Sequence, residues 1–325
     1  MLKIGDKKKA MGRGVAVPFD EKARGVSVTL LQSWLTCRKK ALLKLQGWKV
    51  IRPSQALTYG SMAHEIIASA FSKLDAPPKK AWIEKELDRV LKKSQEELGR
   101  VIPAETQQML ERCAGMLSAI LPVYFDYYKE DFEKLSWEKI EAAFDYHHEG
   151  LGMRMVGVYD ALFRLKGKLW LKETKTSSQI DEDSMIELLH YDFQLGFYLL
   201  SLFRQTKELP KGVIYDILRK PSLKQGVKET LVQFLNRIRE DVAARKDFYF
   251  VRFEVAVSKK EIEDFERELV GILSDFKRWV SGDVPTYRNT TACKNRWGLC
   301  ECVPICARAD YSGFIQRHHT PKGGK

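Results

Sequence analysis

Residues 157–177 read GVYDALFRLKGKLWLKETKTS, and this stretch decides the fold. Met153 to Leu165 and Leu169 to Thr176 each read as a strand, and Gly167 sits in the short turn between them, which is the pattern of a hairpin. Side chains alternate across a strand, so Glu173 and Lys175 share one face and Thr174 takes the other. A hairpin can bring Asp160 beside Glu173. Two carboxylates converging on one face suit a hard divalent cation such as Mg²⁺. A lysine next to such an ion can hold a water and stabilise charge on a phosphate, which is the chemistry of metal-assisted phosphodiester hydrolysis. Glu-x-Lys alone is common in strands as a surface ion pair, so the surroundings carry the decision.

Working outward, the chain ahead of the hairpin is helical. Ser27-Val-Thr opens a helix running to about Gly47, with Leu30, Leu31, Trp34, Leu35, Leu42, Leu43 and Leu45 on its apolar face. Helices at about 58–74, 78–99 and 104–130 follow, punctuated by Pro77-Pro78 and Pro103. Near residue 137 the texture changes: Ile140, Ala142, Phe144 and Tyr146 alternate with Lys139, Glu141 and Asp145, a strand signature. Beyond the hairpin come a helix at about 182–206, a strand at 212–218, a helix from Lys224 to Arg245, a strand from Phe248 to Val257 and a helix at about 258–280. The predicted fold is α/β: a mixed central sheet flanked by helices, with a helical N-terminal region and a cysteine-rich C-terminal tail. Residues 1–26 read as a basic flexible arm, 27–292 as the main domain with a helical insertion at about 78–130, and 293–325 as a tail packed on that domain.

Composition bounds the function. The 325 residues are 44% hydrophobic and 30% charged, which is globular rather than disordered or collagen-like. No stretch approaches the roughly 18 uncharged apolar residues of a membrane span. The N-terminal MLKIGDKKKAMGRG has no apolar run of a signal peptide, so an intracellular, cytoplasmic protein with reduced thiols is expected. Its six cysteines then need an explanation other than disulfides, and the net charge of +12 points to a polyanion partner, most simply nucleic acid.

The order Gly-x-x-Asp, hairpin, Glu-x-Lys-Thr resembles the core of the PD-(D/E)XK nucleases, specifically the RecB-like branch. In TYGSMAHEII, Gly60 precedes His64 by four residues, as in the family's metal-binding histidine segment, and DFQLGFYLL gives Gln194 and Tyr198, matching the family's Gln-x-x-x-Tyr helix. The elements cover roughly residues 27–306 in the family's order. Two departures stand out: Tyr159 rather than Pro precedes Asp160, and the second acid is Glu173 where this branch commonly has Asp. Both keep the chemistry. The resemblance implies a restriction-endonuclease-like fold and a Mg²⁺- or Mn²⁺-dependent deoxyribonuclease, acting as an exonuclease on DNA ends or single strands. It implies His64, Asp160 and Glu173 as metal ligands, the Thr174 carbonyl as a further one, and Lys175 as the residue that positions water and stabilises transition-state charge. Gln194 and Tyr198 would support the site or touch the nucleic acid.

Four cysteines lie in ACKNRWGLCECVPIC, at 293, 300, 302 and 306; Cys37 lies in SWLTCRKKALL and Cys113 in an apolar helix, where a buried core thiol is expected. Some RecB-like nucleases tie one N-terminal cysteine to three C-terminal ones around a [4Fe–4S] cluster; the AddB subunit of bacterial repair complexes, CRISPR-adaptation nucleases and phage exonuclease relatives are examples. The resemblance implies Cys37, Cys293, Cys300 and Cys306 as cluster ligands, a clasp closing a loop of about 255 residues. The spacing departs from the family's, with six rather than two residues between Cys293 and Cys300, and Cys302 competes for a place. The rival is a local Zn²⁺ site from Cys293, Cys300, Cys302 and Cys306.

Arg38, Lys39, Lys40, Lys172, Arg219 and Lys220 lie near the motifs and could track phosphates. Trp34, Tyr59, Trp170, Tyr198 and Trp297 could stack on bases, although core packing is their other reading. The alternative function is a catalytically weak DNA-binding or structural subunit of a repair or CRISPR-adaptation complex, with possible protein partners in repair, recombination or phage replication; the intact Asp160, Glu173 and Lys175 argue against it.

Overall fold

The computed structural model describes residues 17–20, 24–51, 54–98, 102–150, 152–295 and 298–316. In chain order the elements are β1 (Val26–Ser27), α1 (Val28–Thr36), α2 (Arg38–Leu45), β2 (Trp48–Val50), α3 (Gln55–Lys73), α4 (Lys80–Leu98), α5 (Ala104–Tyr127) and α6 (Asp131–Lys134). Next are β3 (Ser136–His148), β4 (Met153–Leu165), β5 (Lys168–Ser177), α7 (Glu182–His190), α8 (Phe193–Thr206), β6 (Gly212–Arg219), α9 (Leu231–Ala244), α10 (Lys246–Tyr249) and β7 (Phe250–Ala256). The chain closes with α11 (Lys259–Val280), β8 (Lys294–Asn295), β9 (Gly298–Leu299), α12 (Val303–Arg308) and β10 (Phe314–Gln316).

Two compact units result: residues up to 51, 147–155 and from 266 onward form the first, and 52–146 with 156–265 form the second. The second contains the mixed sheet, ordered β4-β5-β6-β7, with β3 also on β4. The predicted hairpin is present. β4 and β5 pair antiparallel from Ala161 opposite Lys172 to Leu165 opposite Lys168. Lys166 and Gly167 make its two-residue turn with φ of 51° and 74°, the left-handed pair that matches strand twist. β5 then runs parallel to β6, and β6 antiparallel to β7. β6 is buried along its whole length, which is why GVIYDILR shows no polar alternation. The sheet packs on α3, α5 and α9 through a core that includes Ile66, Met116, Ile120, Phe125, Phe234, Ile238 and Phe250.

Three helix boundaries differ from the sequence expectation. The first helix is two helices, because Cys37 leaves helical geometry at φ −166° and ψ 115°. The 182–206 helix breaks at Tyr191 and Asp192, where the Asp192 carboxylate caps α8 by accepting from Leu195 N at 2.8 Å. The helix expected from Lys224 starts only at Leu231, after a capping box between Thr230 and Gln233. Tyr249, expected in the last strand, belongs to the one-turn α10.

In the first unit, Ser27 caps α1, Trp34 packs against Phe276 and Trp279, and β2 pairs antiparallel with β10. Of the basic arm, residues 1–16 and 21–23 lie outside the described residues; Val17 is buried and Phe19 meets the edge of Phe276. Among the described residues, no helix is long and apolar enough to cross a membrane.

Candidate active site

All residues expected around the acid pair lie in the second unit. The hairpin register, continued one step beyond Ala161 and Lys172, sets Asp160 opposite Glu173. Asp160 Oδ2 accepts from the Thr174 backbone N–H at 2.8 Å and stands 3.4 Å from His64 Nδ1. The histidine reaches this position because α3 passes close to β5 at Gly60, where a Cβ would come within 2.9 Å of Thr176 Oγ1. That close approach is the physical reason for a glycine one turn before His64.

Glu173 and Lys175 do share a face. Lys175 Nζ donates to Glu173 Oε1 at 2.5 Å and to Gln194 Oε1 at 2.9 Å, while Gln194 Nε2 donates to the same Glu173 oxygen at 2.8 Å. The other oxygen, Glu173 Oε2, is buried without a hydrogen-bond partner, in a side chain only 1% exposed. A buried carboxylate oxygen left without a donor is costly. Burial first, and then the charge of Asp160, push Glu173 up to about 7. Tyr198 is buried one helical turn from Gln194, edge-on to Phe144 and Tyr159, and burial raises its hydroxyl to about 12. His64 is held below its ordinary value by burial, although Asp160 opposes this; a neutral imidazole is the form that ligates metal. Its ring also hydrogen-bonds the Thr174 carbonyl, so that carbonyl already has a partner.

One residue of the cluster was missed by sequence reasoning. Glu141, on β3, brings a carboxylate oxygen into a group with His64 and Asp160 whose ligand atoms all lie within 4.8 Å of one another. It adopts φ 49°, which a glutamate rarely holds. Burial, then Asp160 and Glu65, raise it to about 6. In sequence it was one more polar residue of an alternating strand. His64, Glu141, Asp160 and Lys175 line an open cleft of about 790 Å³, whose wall also carries Arg89 and Lys93 from α4. These two cations bind Glu65 at 2.8 and 2.9 Å.

Several expected nucleic-acid contacts are corrected. Lys172 is 2% exposed and locked to Asp216, with Asp131 3.8 Å away. Arg219 is buried, donating to Phe248 O at 2.7 Å and to Glu182 at 3.0 Å. Neither can track a phosphate. Lys220 stands over the Tyr59 ring, Lys40 pairs with Glu301 at 3.3 Å, and Arg38 lies against Trp34 and Tyr287. Trp34, Tyr59, Trp170 and Tyr198 are buried, so they are core rather than stacking platforms; Trp297 lies outside the described residues.

Cys37, Cys293, Cys300, Cys302 and Cys306 all belong to the first unit. Its extended backbone takes Cys37 out of the helix, and its sulfur accepts from Asn289 N at 3.4 Å. The Cys293 thiol donates to Asn289 O at 3.7 Å, and Cys300 N donates to Cys293 O at 2.8 Å. Burial raises the Cys306 thiol, with Cys37, Cys300 and Cys293 close enough to add to the effect. Cys302 is buried with Leu43 and Ile305. Its thiol bonds to Cys300, which that bond chiefly lowers to about 6. Among the described residues these cysteines do not form a group of three with ligand atoms inside 4.8 Å. Cys113 is buried in the second unit, as expected.

Compared with known proteins, the chain matches the model of the PD-(D/E)XK nuclease superfamily over residues 25–307. No curated protein matches it. Solved structures similar to it include a nominal exonuclease from Eubacterium rectale, 13% identical, with 92% of each chain covered at a TM-score of 0.49. Another is SSO0001, 14% identical, covering 62% of this chain and 74% of the other at a TM-score of 0.26.

Proposed function

The chain belongs to the PD-(D/E)XK nuclease superfamily, and on that premise we propose that it is a Mg²⁺- or Mn²⁺-dependent deoxyribonuclease of the RecB-like type, an exonuclease acting on DNA ends or single strands. The observation that carries this reading is the state of Glu173. One of its oxygens is held by Lys175 and Gln194, and the other is buried with no donor, opposite Asp160. A divalent cation fits that vacancy in the donor set: two carboxylates that face each other, one short of a partner. Asp160, Glu173 and His64 would hold it, and when bound it would activate water and neutralise phosphoryl charge. Lys175, half-exposed at the cleft, presents its ammonium to the scissile phosphate and to the attacking water. Gln194 fixes that ammonium through its Oε1, and Tyr198 backs the helix from the core.

End-labelled single- and double-stranded DNA incubated with Mg²⁺, Mn²⁺ or chelator tests the reading. Cleavage from one end that needs metal and vanishes in Lys175→Ala supports it. Cleavage of wild-type rate by Lys175→Ala sinks the site assignment.

The same proposal includes a [4Fe–4S] cluster on Cys37, Cys293, Cys300 and Cys306. Four thiols of intermediate burial drawn from both ends of the chain into one unit support it, with Cys302 spent on the apolar contacts of Leu43 and Ile305. The rival Zn²⁺ site would need Cys302 beside Cys293, Cys300 and Cys306, and Cys302 is the buried member of the set. Anaerobically purified protein should be brown, and Cys37→Ser should lose iron and colour together. Colourless wild-type protein with stoichiometric zinc would overturn this part.

A further inference from the structure

We infer that the groove between the first half of α5 and the loop after β6 is a second nucleic-acid site, a bed for the phosphodiester backbone of a DNA strand that runs on beyond the active cleft; the inference rests on the nuclease reading above. The groove has a volume of about 610 Å³, and Gln55, Gln108, Arg112, Lys220 and Gln225 are among its lining residues. Arg112 and Lys220 are both half-buried. Lys220 stands over the Tyr59 ring and Arg112 over the Phe234 ring, and among the described residues neither cation has an ion-pair partner. Lys172, Arg219, Arg89 and Lys93 differ in this respect, since each is held by a carboxylate.

Two half-buried cations without a counter-charge favour an anion from outside the chain. Burial first, with Arg112 adding to it, holds the Lys220 ammonium below its ordinary value. The Cys113 thiol beside them supplies no charge, because burial raises it to about 11 against the pull of both cations. Glu105 and Glu111 also line the groove, but on exposed side chains, where salt screens them; Glu111 also accepts from Gln107 Nε2 at 2.6 Å. Lys224 and Lys228, exposed on the loop whose Leu223 and Gln225 form one wall, shift the balance further toward an anion.

Position selects a DNA strand as that anion. Gln55 lines this groove while the next two residues, Ala56 and Leu57, line the active cleft, so the two meet at the first turn of α3. On the sheet side, Ile217 lies opposite Lys175, and Lys220 N donates to Ser177 O at 2.7 Å. From the level of Lys175 to Lys220 is therefore about 10 Å, at about 3.3 Å per strand residue. That is the reach of about three nucleotides at the 3.4 Å rise of a B-form strand. An acidic peptide shares the charge, but only a strand already seated in the cleft is delivered to the groove by its own length.

Full-length protein, with chelator present to prevent cleavage, is titrated with labelled single-stranded DNA by fluorescence anisotropy across a salt series. Combined Arg112→Gln and Lys220→Gln should weaken binding about tenfold, and each lost phosphate contact should lower the slope of log K against log salt by about 0.7. Unchanged affinity and slope, in a variant whose urea midpoint matches the wild type, overturn the inference and leave the groove to an acidic protein partner. If the variant fails to fold, ultraviolet crosslinking of bromodeoxyuridine-bearing DNA to the wild type decides. Crosslinked peptides from 104–116 or 220–231 support the inference, and crosslinks confined to the active cleft overturn it. DNA that binds through this groove and is never cut with Mg²⁺ or Mn²⁺ keeps this inference and sinks the nuclease reading. DNA that is cut with metal, while the folded double variant binds it like the wild type, does the reverse.

Discussion

The two faces of β5 carry two charge clusters built on opposite plans, one buried and one open to the cleft. On one face Lys172 bonds Asp216, and Arg252 reaches Asp216 at 2.6 and 2.8 Å and Asp131 at 2.8 and 2.7 Å. Tyr124 adds a hydroxyl at 3.4 Å, and Arg252 lies 4.0 Å from the Tyr128 ring. Two cations meet two carboxylates there, and every carboxylate oxygen has a donor. On the other face Asp160, Glu173 and Glu141 outnumber Lys175, and Glu173 Oε2 has none. A buried ion cluster that balances internally is a piece of the core. One that does not balance is open to charge from outside the chain, and that is what separates the structural Lys172 from Lys175, the proposed catalytic lysine three residues on.

Lysine replacement on each face breaks this comparison most sharply. Lys175→Ala should cut DNA cleavage by about 10²–10⁴-fold, the range for losing a group that stabilises developing charge, with little change in the urea midpoint. Lys172→Met should do the opposite. It leaves two buried carboxylates, Asp216 and Asp131, to the single cation Arg252, and losing one partner of a buried ion pair costs about 3–5 kcal/mol, while cleavage per folded molecule persists. Equal losses of stability in the two variants would mean the faces do not differ as described.

The two faces also respond to pH with opposite signs. Glu173 is raised to about 7, first by burial and then by Asp160. Between its unfolded value, about 4.5, and 7 the folded state keeps a proton that the unfolded chain has lost, so stability is full below pH 4.5 and falls as pH rises to about 7. The loss is on the order of 3 kcal/mol. Burial alone would raise Asp216 as well, but Lys172 and Arg252 overturn that and hold it low. Its stabilisation is present above the unfolded value of about 3.8 and disappears as pH falls below it. Scanning calorimetry of metal-free protein should therefore show a thermal midpoint that declines from pH 4.5 to 7. Glu173→Gln should abolish that decline and keep the acid-side loss. A decline that survives in Glu173→Gln would remove Glu173 as its source.

Much of this was legible in the chain, for reasons that can be named. The hairpin was legible because alternation and a glycine turn are local signals, and with it came Asp160, Glu173 and Lys175. His64 and Gln194 were legible through motif resemblance, and the structure joins both to the cluster. Lys172 was misread because alternation says which face a residue takes, not whether that face holds a counter-charge; Asp131, Asp216 and Arg252 come from three other segments. The break at Cys37 was hidden because apolar periodicity runs through it from Leu31 to Leu42 while the backbone departs from the helix for a single residue. Glu141 left no sequence signal at all, since its role depends on β3 lying beside β4 and on one left-handed φ.

The break before α8 did have a signal: an aspartate directly ahead of an apolar run is a helix start. It yields the smallest effect and the finest test of the open face. Asp192 caps α8 through Leu195 N at 2.8 Å, and Gln194, in the first turn beyond it, clamps both Glu173 Oε1 and Lys175. Asp192→Ala should cost about 1 kcal/mol of stability. By loosening that turn it should also slow cleavage by less than tenfold, with Asp192→Asn restoring both, since an asparagine oxygen caps as well. Urea midpoints and single-turnover rates on the two variants read this directly. A loss of stability in Asp192→Ala with an unchanged rate would show that Lys175 and Glu173 hold their geometry without Gln194, leaving the open face supported by the hairpin alone.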